Sequence, residues 1–407
     1  MRGMGNTLTI GERVAWYRRR RGLSQEVLAG LIGRTADWLG KIENNRIELD
    51  RLSVITSLAN VLDVSLGDLL AEPSLTDWSA DSGTETVPAL RAALMNYRAI
   101  TAFTNPPTDL PALAALRQDV GNLWGAYQDS RFGYVTGRLP ELLRRAQDAA
   151  DGHDGDDQDQ ARRLLGLTYQ LAATQLTKLG ETDLAWIAAD RGLAAVRPTG
   201  DPVVTGSLFR SVGHALHSTG RYTEAVRLTE DAAGYLETHL TKQPTPALLS
   251  VYGTLFLAGA MAAARANDAP TTRTFLTTAD HTAARLGGDG NHLWTAFGPT
   301  NVAIHRVATA AELGDLQVAI DLGPRVDTTA LPMERRVRHA LEVARAYSSH
   351  NRVDDAQAAL LDAEQMAPEQ VRHHFLSRQL TLTWIRRQRG KPSPQLVGLA
   401  RRLNVLD

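Results

Sequence analysis

Five residues of the kind that ends helices, Gly180, Gly220, Asn267, Gly314 and Asn351, recur through this 407-residue chain, each followed five places on by a small or short residue. Those followers are Ala185, Ala225, Thr272, Ala319 and Ala356. Glycine and asparagine tolerate a left-handed backbone, and a small side chain lets two helices cross closely. Spacings of 40, 47, 47 and 37 residues then imply stacked helical hairpins, none able to bury its apolar face alone. An earlier pair around Trp124 to Ala146 is expected to add one more. The segments between are rich in Ala and Leu and lack two-residue alternation, so the fold class is all-α.

The first seventy residues have a tighter rhythm. Ile10, Val14 and Tyr17 make one stripe of a helix over Ile10 to Arg20 that Gly22 stops. Ser24 caps a second helix to Ile32, with Val27, Leu28, Leu31 and Ile32 as its expected buried side, and Gly33 ends it. Thr35 caps a third through Glu43, turning Leu39 and Ile42 inward and Asp37, Trp38 and Lys41 outward. Two further stripes, Leu52 to Leu62 and Leu66 to Leu70, complete a five-helix bundle over residues 8–71. Residues 72–88, rich in Ser, Thr, Asp, Gly and Pro, read as a linker, and 89–407 as the repeat domain.

Net charge is −1, yet Met1 to Arg46 holds nine Arg or Lys against four Asp or Glu, with Arg18 to Arg21 in one run. Such a surplus either tracks phosphates or complements a helix C-terminus.

The segment GLSQEVLAGLIGRTADWLGKIENNRIELDRLSVITSLANVLDVSLGDLL resembles the lambda-repressor-like, Xre-type helix-turn-helix domain. The resemblance implies a third helix in the major groove of double-stranded operator DNA. By position, Gln25, Arg34 and Thr35 would hold phosphates, and Ala36, Asp37, Trp38 and Lys41 would reach base edges. Asn44, Asn45 and Arg46 would follow as backbone contacts, although the family usually places a basic residue and a glycine where this chain has Asn44 and Asn45. Trp38 is expected either at a base or against its own domain.

The stretch GHALHSTGRYTEAVRLTEDAA, with small residues at Gly213, Gly220, Ala225 and Ala232, resembles the tetratricopeptide pattern. Together with LGETDLAWIAADRGL, FGPTNVAIHRVATAAELGD and LPMERRVRHALEVARAYSSHNRVDDAQAALLDAEQMAPEQVR, it is similar to actinobacterial regulators that carry an Xre domain before such repeats. That likeness implies transcriptional control, and the architecture is also analogous to peptide-pheromone receptors. The first helix of each pair is expected to line a concave groove through Gln170, Thr174, Thr177, Ser207, Arg210, His214, His217, Thr254, Met261, Asn301, Arg338 and Arg345, which would take a peptide or small-molecule effector. A scaffold that recruits a protein partner to DNA is the alternative.

Other chemistry finds little support. Asp151 to Asp159 has Asp156 and Arg162 where a calcium loop needs glycine and glutamate, so it reads as a solvated loop. His281, His292, His305, His373 and His374 show no ligand spacing, and no phosphate-binding glycine motif occurs. No enzyme activity, cofactor or metal is expected. Cysteine is absent, no signal-peptide core is seen, and the apolar stretch Leu255 to Ala264 is read as too short for a bilayer, so a cytoplasmic protein without membrane contact is expected. One small recognition module reads little sequence, so a homodimer is expected.

Overall fold

The computed structural model describes residues 8–64, 66–70, 87–95, 110–388 and 391–406, and every element among them is helical. Contacts divide the chain into two compact units, taken here through their described residues. One comprises Met1–Pro73, Ala310–Asp327 and Met333–Asp407; the other comprises Ser74–Thr309 and Thr328–Pro332. The expected repeat domain, 89–407, thus contributes to both units. Of the expected linker, residues 72–86 lie outside the described residues, while Val87 and Pro88 open a helix instead of ending a linker.

In the first unit, α1 (Ile10–Arg20), α2 (Gln25–Leu31), α3 (Ala36–Glu43), α4 (Leu52–Leu62) and α5 (Leu66–Leu70) enclose Ile10, Val14, Leu28, Leu39, Ile42, Ile55, Leu58 and Leu69. Side chains end the orphan amides at three starts: Thr9 and Glu12 form a capping box, Ser24 accepts from Val27, and Thr35 accepts from Trp38. The seven-residue α2 departs from expectation, because Val27 is 49% and Leu31 61% exposed. Leu28, Ala29 and Ile32 share one arc of that helix and take the core contact. At about 100° per residue, Val27 and Leu31 fall beyond its edge.

Beyond α6 (Val87–Leu94) the chain runs in pairs: α7 and α8 (Leu113–Gln128, Phe132–Gly152), α9 and α10 (Gly155–Lys178, Thr182–Val196), α11 and α12 (Pro202–Ser218, Tyr222–Glu237), α13 and α14 (Pro246–Arg265, Ala269–Leu286). Next come α15 and α16 (Pro299–Leu313, Leu316–Leu322) and α17 and α18 (Met333–Ser349, Val353–Met366), followed by α19 (Pro368–His373), α20 (Phe375–Arg387) and α21 (Pro394–Arg402). The five punctuating residues all have positive φ, between 60° and 95°, and their followers Ala185, Ala225, Thr272, Ala319 and Ala356 are buried. The earliest pair turns the same way on Ser130, at φ 63°. Gly213 differs from its expected role: a methyl group there would meet nothing within 4 Å. The acidic stretch Asp151 to Asp159 is almost wholly helical, leaving only His153 and Asp154 between α8 and α9.

Within the second unit, α13 is longer than the apolar stretch singled out by sequence, and by length and composition it is apolar enough to cross a membrane. It is instead a core helix, with 89% of its apolar window buried. Residues 287–298, between α14 and α15, fold back on it, so that a side chain on Gly253 would collide with the ring of Phe297. Three non-glycine residues in this segment are left-handed, Leu293 (φ 45°), Trp294 (54°) and Ala296 (49°). Each costs about 1 to 2 kcal/mol relative to an ordinary backbone, so surrounding contacts must hold them.

Two glycines separate close packing from mere permissiveness. A side chain on Gly11 would strike the backbone carbonyl of Ile42, where α1 crosses α3. Gly11→Ala is expected to lower stability by about 1 to 3 kcal/mol, whereas Gly213→Ala, inside α11, should raise it by about 0.5 to 1 kcal/mol. Urea unfolding of the two variants should move the midpoint in opposite directions.

Candidate nucleic-acid interface

The geometry of α2 and α3 rests on one buried carboxylate. Glu43 accepts from Arg18 Nε at 2.5 Å and Nη2 at 2.8 Å, and from Gln25 Nε2 at 2.7 Å, with only 3% of its side chain exposed. Arg18 also donates to the Leu23 carbonyl at 2.8 Å, and hydrogen bonding to Glu43 holds its guanidinium pKa above the ordinary value. Arg18 therefore leaves the basic run as a structural residue, and the Gln25 amide, expected at a phosphate, is engaged by Glu43. Removing one partner of such a pair costs about 3 to 5 kcal/mol, because the other charge stays buried alone.

Along the outer edge of α3 the expected contact residues stand in the open. Arg34 and Thr35 are exposed, and the Arg34 guanidinium lies 5.6 Å from the centre of the Trp38 ring. Trp38 is half-buried and packs against its own bundle, so of its two expected roles the packing one is observed. Asp37 and Lys41, one turn apart, pair at 2.6 Å with both side chains substantially exposed. Ala36 is half-buried beside them. Asn44 returns its amide to the Gly40 carbonyl at 2.7 Å, and Arg46 is exposed with its backbone amide on Lys41.

Asn45 has a different place from that expected. Left-handed at φ 57°, it accepts from the Thr9 hydroxyl at 2.6 Å and donates to Glu12 at 3.3 Å, tying the end of α3 to the start of α1. Its carbonyl accepts from Arg387 Nε at 2.8 Å, at the end of α20. The same arginine reaches Glu48 at 3.3 Å, which also accepts from Ser348 at 2.6 Å. Burial pushes the Glu48 carboxyl above its ordinary pKa, against the pull of Ser348 and Arg387. Asp50 accepts from Ser349 at 3.0 Å, and the Ile10 amide donates to Gln379 at 2.9 Å. The bundle is thus braced within its unit by α17 and α20, and of the bracing residues Glu48, Asp50, Ser348, Ser349, Gln379 and Arg387 are not singled out by sequence reading.

Two of the expected effector residues lie in this unit, and one of them, Arg345, belongs to the brace. Arg345, 2% exposed, pairs with Glu342 at 2.9 Å and lies 3.9 Å from Asp50. Burial works against its charge, yet Glu342, Glu312 and Asp50 hold its pKa above the ordinary value. Arg338 meets His374 at 2.8 Å and Glu342 at 3.3 Å.

The other ten expected effector residues lie in the second unit, and most are buried rather than lining open water. Gln170 bridges to the carbonyl and hydroxyl of Ser207 on the next first helix. Thr174, Thr177 and Thr254 return their hydroxyls to their own helices at 2.6 to 2.8 Å. Asn301 approaches the Thr295 carbonyl at 3.5 Å, and Met261 is half-buried. Arg210, His214 and His217 do share one face of α11, with the two imidazoles 5.9 Å apart. Burial, followed by the charges of Arg265 and His305, lowers the His217 pKa to about 3. Its Nε2 is buried without a hydrogen-bond partner, as are the hydroxyls of Ser211 and Ser250 and the Asn301 Oδ1.

Residues 9–72 match the family described as a helix-turn-helix domain. No curated protein matches the chain. Among solved structures it is similar to BtubC (BKLC) from P. vanneervenii, at 14% identity over 62% of this chain and 91% of that one, TM-score 0.39. PlcR of Bacillus thuringiensis, in complex with the peptide PapR7 and DNA, is 13% identical over 69% and 95%, TM-score 0.35. Aspartyl phosphate phosphatase F from Bacillus subtilis is 13% identical over 90% and 95%, TM-score 0.46. Residues 9–72 form a helix-turn-helix domain.

Two outcomes follow from these contacts. Arg387→Ala in the full chain should leave helix content intact while amides of residues 42–50 exchange with deuterium about tenfold faster, since a charge-assisted bond there is lost. For His217, the folded pKa of about 3 lies below the ordinary 6.5, so its contribution is complete above 6.5 and is lost as pH falls toward 3. Thermal unfolding from pH 7 to pH 5 should reveal a loss on the order of 2 kcal/mol that His217→Gln removes.

Proposed function

We propose that the chain is a sequence-specific, DNA-binding transcriptional regulator of the Xre type, whose helical repeats sense an effector and alter operator affinity. The observation that carries the DNA reading is the division of α3 and the residues that lead into it: Leu39, Ile42 and Glu43 are buried, while Arg34, Thr35, Asp37 and Lys41 form a solvent-facing outer edge. An edge of that composition suits a major groove, with Lys41 toward guanine O6 or N7, Asp37 toward cytosine N4, and Arg34 on phosphate. The Asp37–Lys41 pair would open on contact, which costs little for exposed charges.

Arg210, His214 and His217 supply the support for sensing. A guanidinium and two imidazoles on one helix face suit a carboxylate or phosphate, so an anionic peptide terminus or acidic metabolite is the favoured effector class. Buried polar atoms without partners are uncommon and are satisfied by water or by a ligand. A coupling of about 1 to 3 kcal/mol would shift operator affinity about 5- to 150-fold. The reading places the protein in the cytoplasm as a homodimer, akin to the actinobacterial regulators it resembles, without a catalytic role or cofactor.

The test is duplex selection from a random-sequence pool followed by footprinting. Wild type should protect two half-sites about one helical turn apart. Lys41→Ala should weaken the selected site by about 1 to 3 kcal/mol and relax one base pair, whereas Arg34→Ala should weaken all sequences alike and reduce the salt slope by about 1. Failure to select any site, or a Lys41→Ala protein that binds as wild type does, would sink the assignment.

A further inference from the structure

The first helices of the repeats are met by a segment of the chain itself. Residues 287–298 leave α14 and reach first helices of three pairs in their unit. On α7, Trp124 stacks on Trp294 with centroids 5.0 Å apart and planes within 5°. Gln128 exchanges amide hydrogen bonds with Asn291 at 3.0 and 2.8 Å, and also donates to the Trp294 carbonyl at 3.2 Å. Leu293 packs on the cluster that includes Val204 and Leu208 of α11, and Phe297, wholly buried, sits on Gly253 of α13. Side chains therefore occupy the repeat face at three places, two of them aromatic and three residues apart.

This mode of contact is unlike that of an ordinary connection. A connection needs only to span its ends, whereas this one enters the left-handed region at Leu293, Trp294 and Ala296, none of them glycine. The strain persists because the indole stack, the amide pair and the Phe297 seat hold it. A segment opposed by its own backbone holds its seat less tightly than its contacts alone would give, and a rival that makes the same contacts competes with it.

We propose that residues 287–298 are an intramolecular ligand of the repeat face, displaced by a peptide that presents an indole and a phenyl ring three residues apart. The inference rests on the reading of the repeats as a sensor and gives that sensor a ligand class. The rival places its indole on Trp124, its backbone on Gln128 and its phenyl ring on Gly253. The Asn301 amide, now near the Thr295 carbonyl, is a further donor at the same seat.

The probe is a synthetic peptide of residues 288–298, GDGNHLWTAFG, titrated by calorimetry into the full chain. Wild type, with its seat filled, should bind it weakly. Trp294→Ala, which removes the internal indole, should bind it at least about tenfold more tightly, because the competent state is then more populated. Adding Trp124→Ala to that variant should abolish the gain. Ala296→Gly, which relieves left-handed strain and strengthens the internal seat, should weaken peptide binding about fivefold relative to wild type. Circular dichroism checks that each variant remains helical, and Asn291→Ala offers a second way to loosen the segment while leaving Gln128 in place for the peptide. The inference is overturned if folded Trp294→Ala and Asn291→Ala bind the peptide no better than wild type, or if Trp124→Ala leaves the gain untouched. Peptide capture without change in affinity for a selected duplex supports the inference and counts against the sensor reading.

Discussion

Each repeat pair turns back through three residues or fewer, and one of them must be left-handed. That constraint governs the rest. A connection so short forces the second helix to run antiparallel against the first, and it fixes which residue of the second helix lies at the crossing. The position five places after the turn is that residue, which is why alanine or a small β-branched side chain fills it and is buried there. Where the left-handed residue is glycine the turn carries no steric cost; asparagine accepts it at Asn267 and Asn351, and serine at Ser130.

The N-terminal unit is built on a different principle. Its apolar centre is small, and its distinctive feature is charge taken out of water: Arg13, Arg18, Glu43 and Arg345 are all buried. Burial lowers the Arg13 pKa to about 10, aided by the nearby Arg378, while Arg18 and Glu43 satisfy each other. Buried ion pairs of this sort contribute little net stability but penalise every arrangement that separates them. The join between the bundle and α17 and α20 is polar in the same way, through Glu48, Asp50, Ser348 and Arg387. Such a join selects one orientation of α3.

What the sequence makes legible is what local geometry demands. The turn residues and their followers can be read directly, because only a few side chains suit a left-handed backbone or a helix crossing. Ser130 escapes this logic, since serine is not specialised for that conformation. The caps Ser24 and Thr35 are legible for the same reason as the glycines, whereas Val27 and Leu31 are misjudged because a two-turn helix offers too few residues to fix its phase. Partners distant along the chain are invisible: Asn45 and Arg387 are 342 residues apart, and Gln128 and Asn291 are 163 apart. A groove-lining polar residue and one that bonds its neighbouring helix, as Gln170 bonds Ser207, also have the same local pattern.

The brace on the helix-turn-helix domain has a consequence in time. Synthesis delivers α1 to α5 well before α17 and α20, which hold Asn45, Glu48 and Asp50. About 260 residues separate Leu70 from Met333, and at about 5 to 20 residues per second their translation takes roughly 13 to 52 seconds. Throughout that interval the nascent bundle has α3 without the contacts that orient it. A ribosome-bound or prematurely terminated chain therefore lacks the brace, and α3 gains its fixed orientation only after α20 has been made.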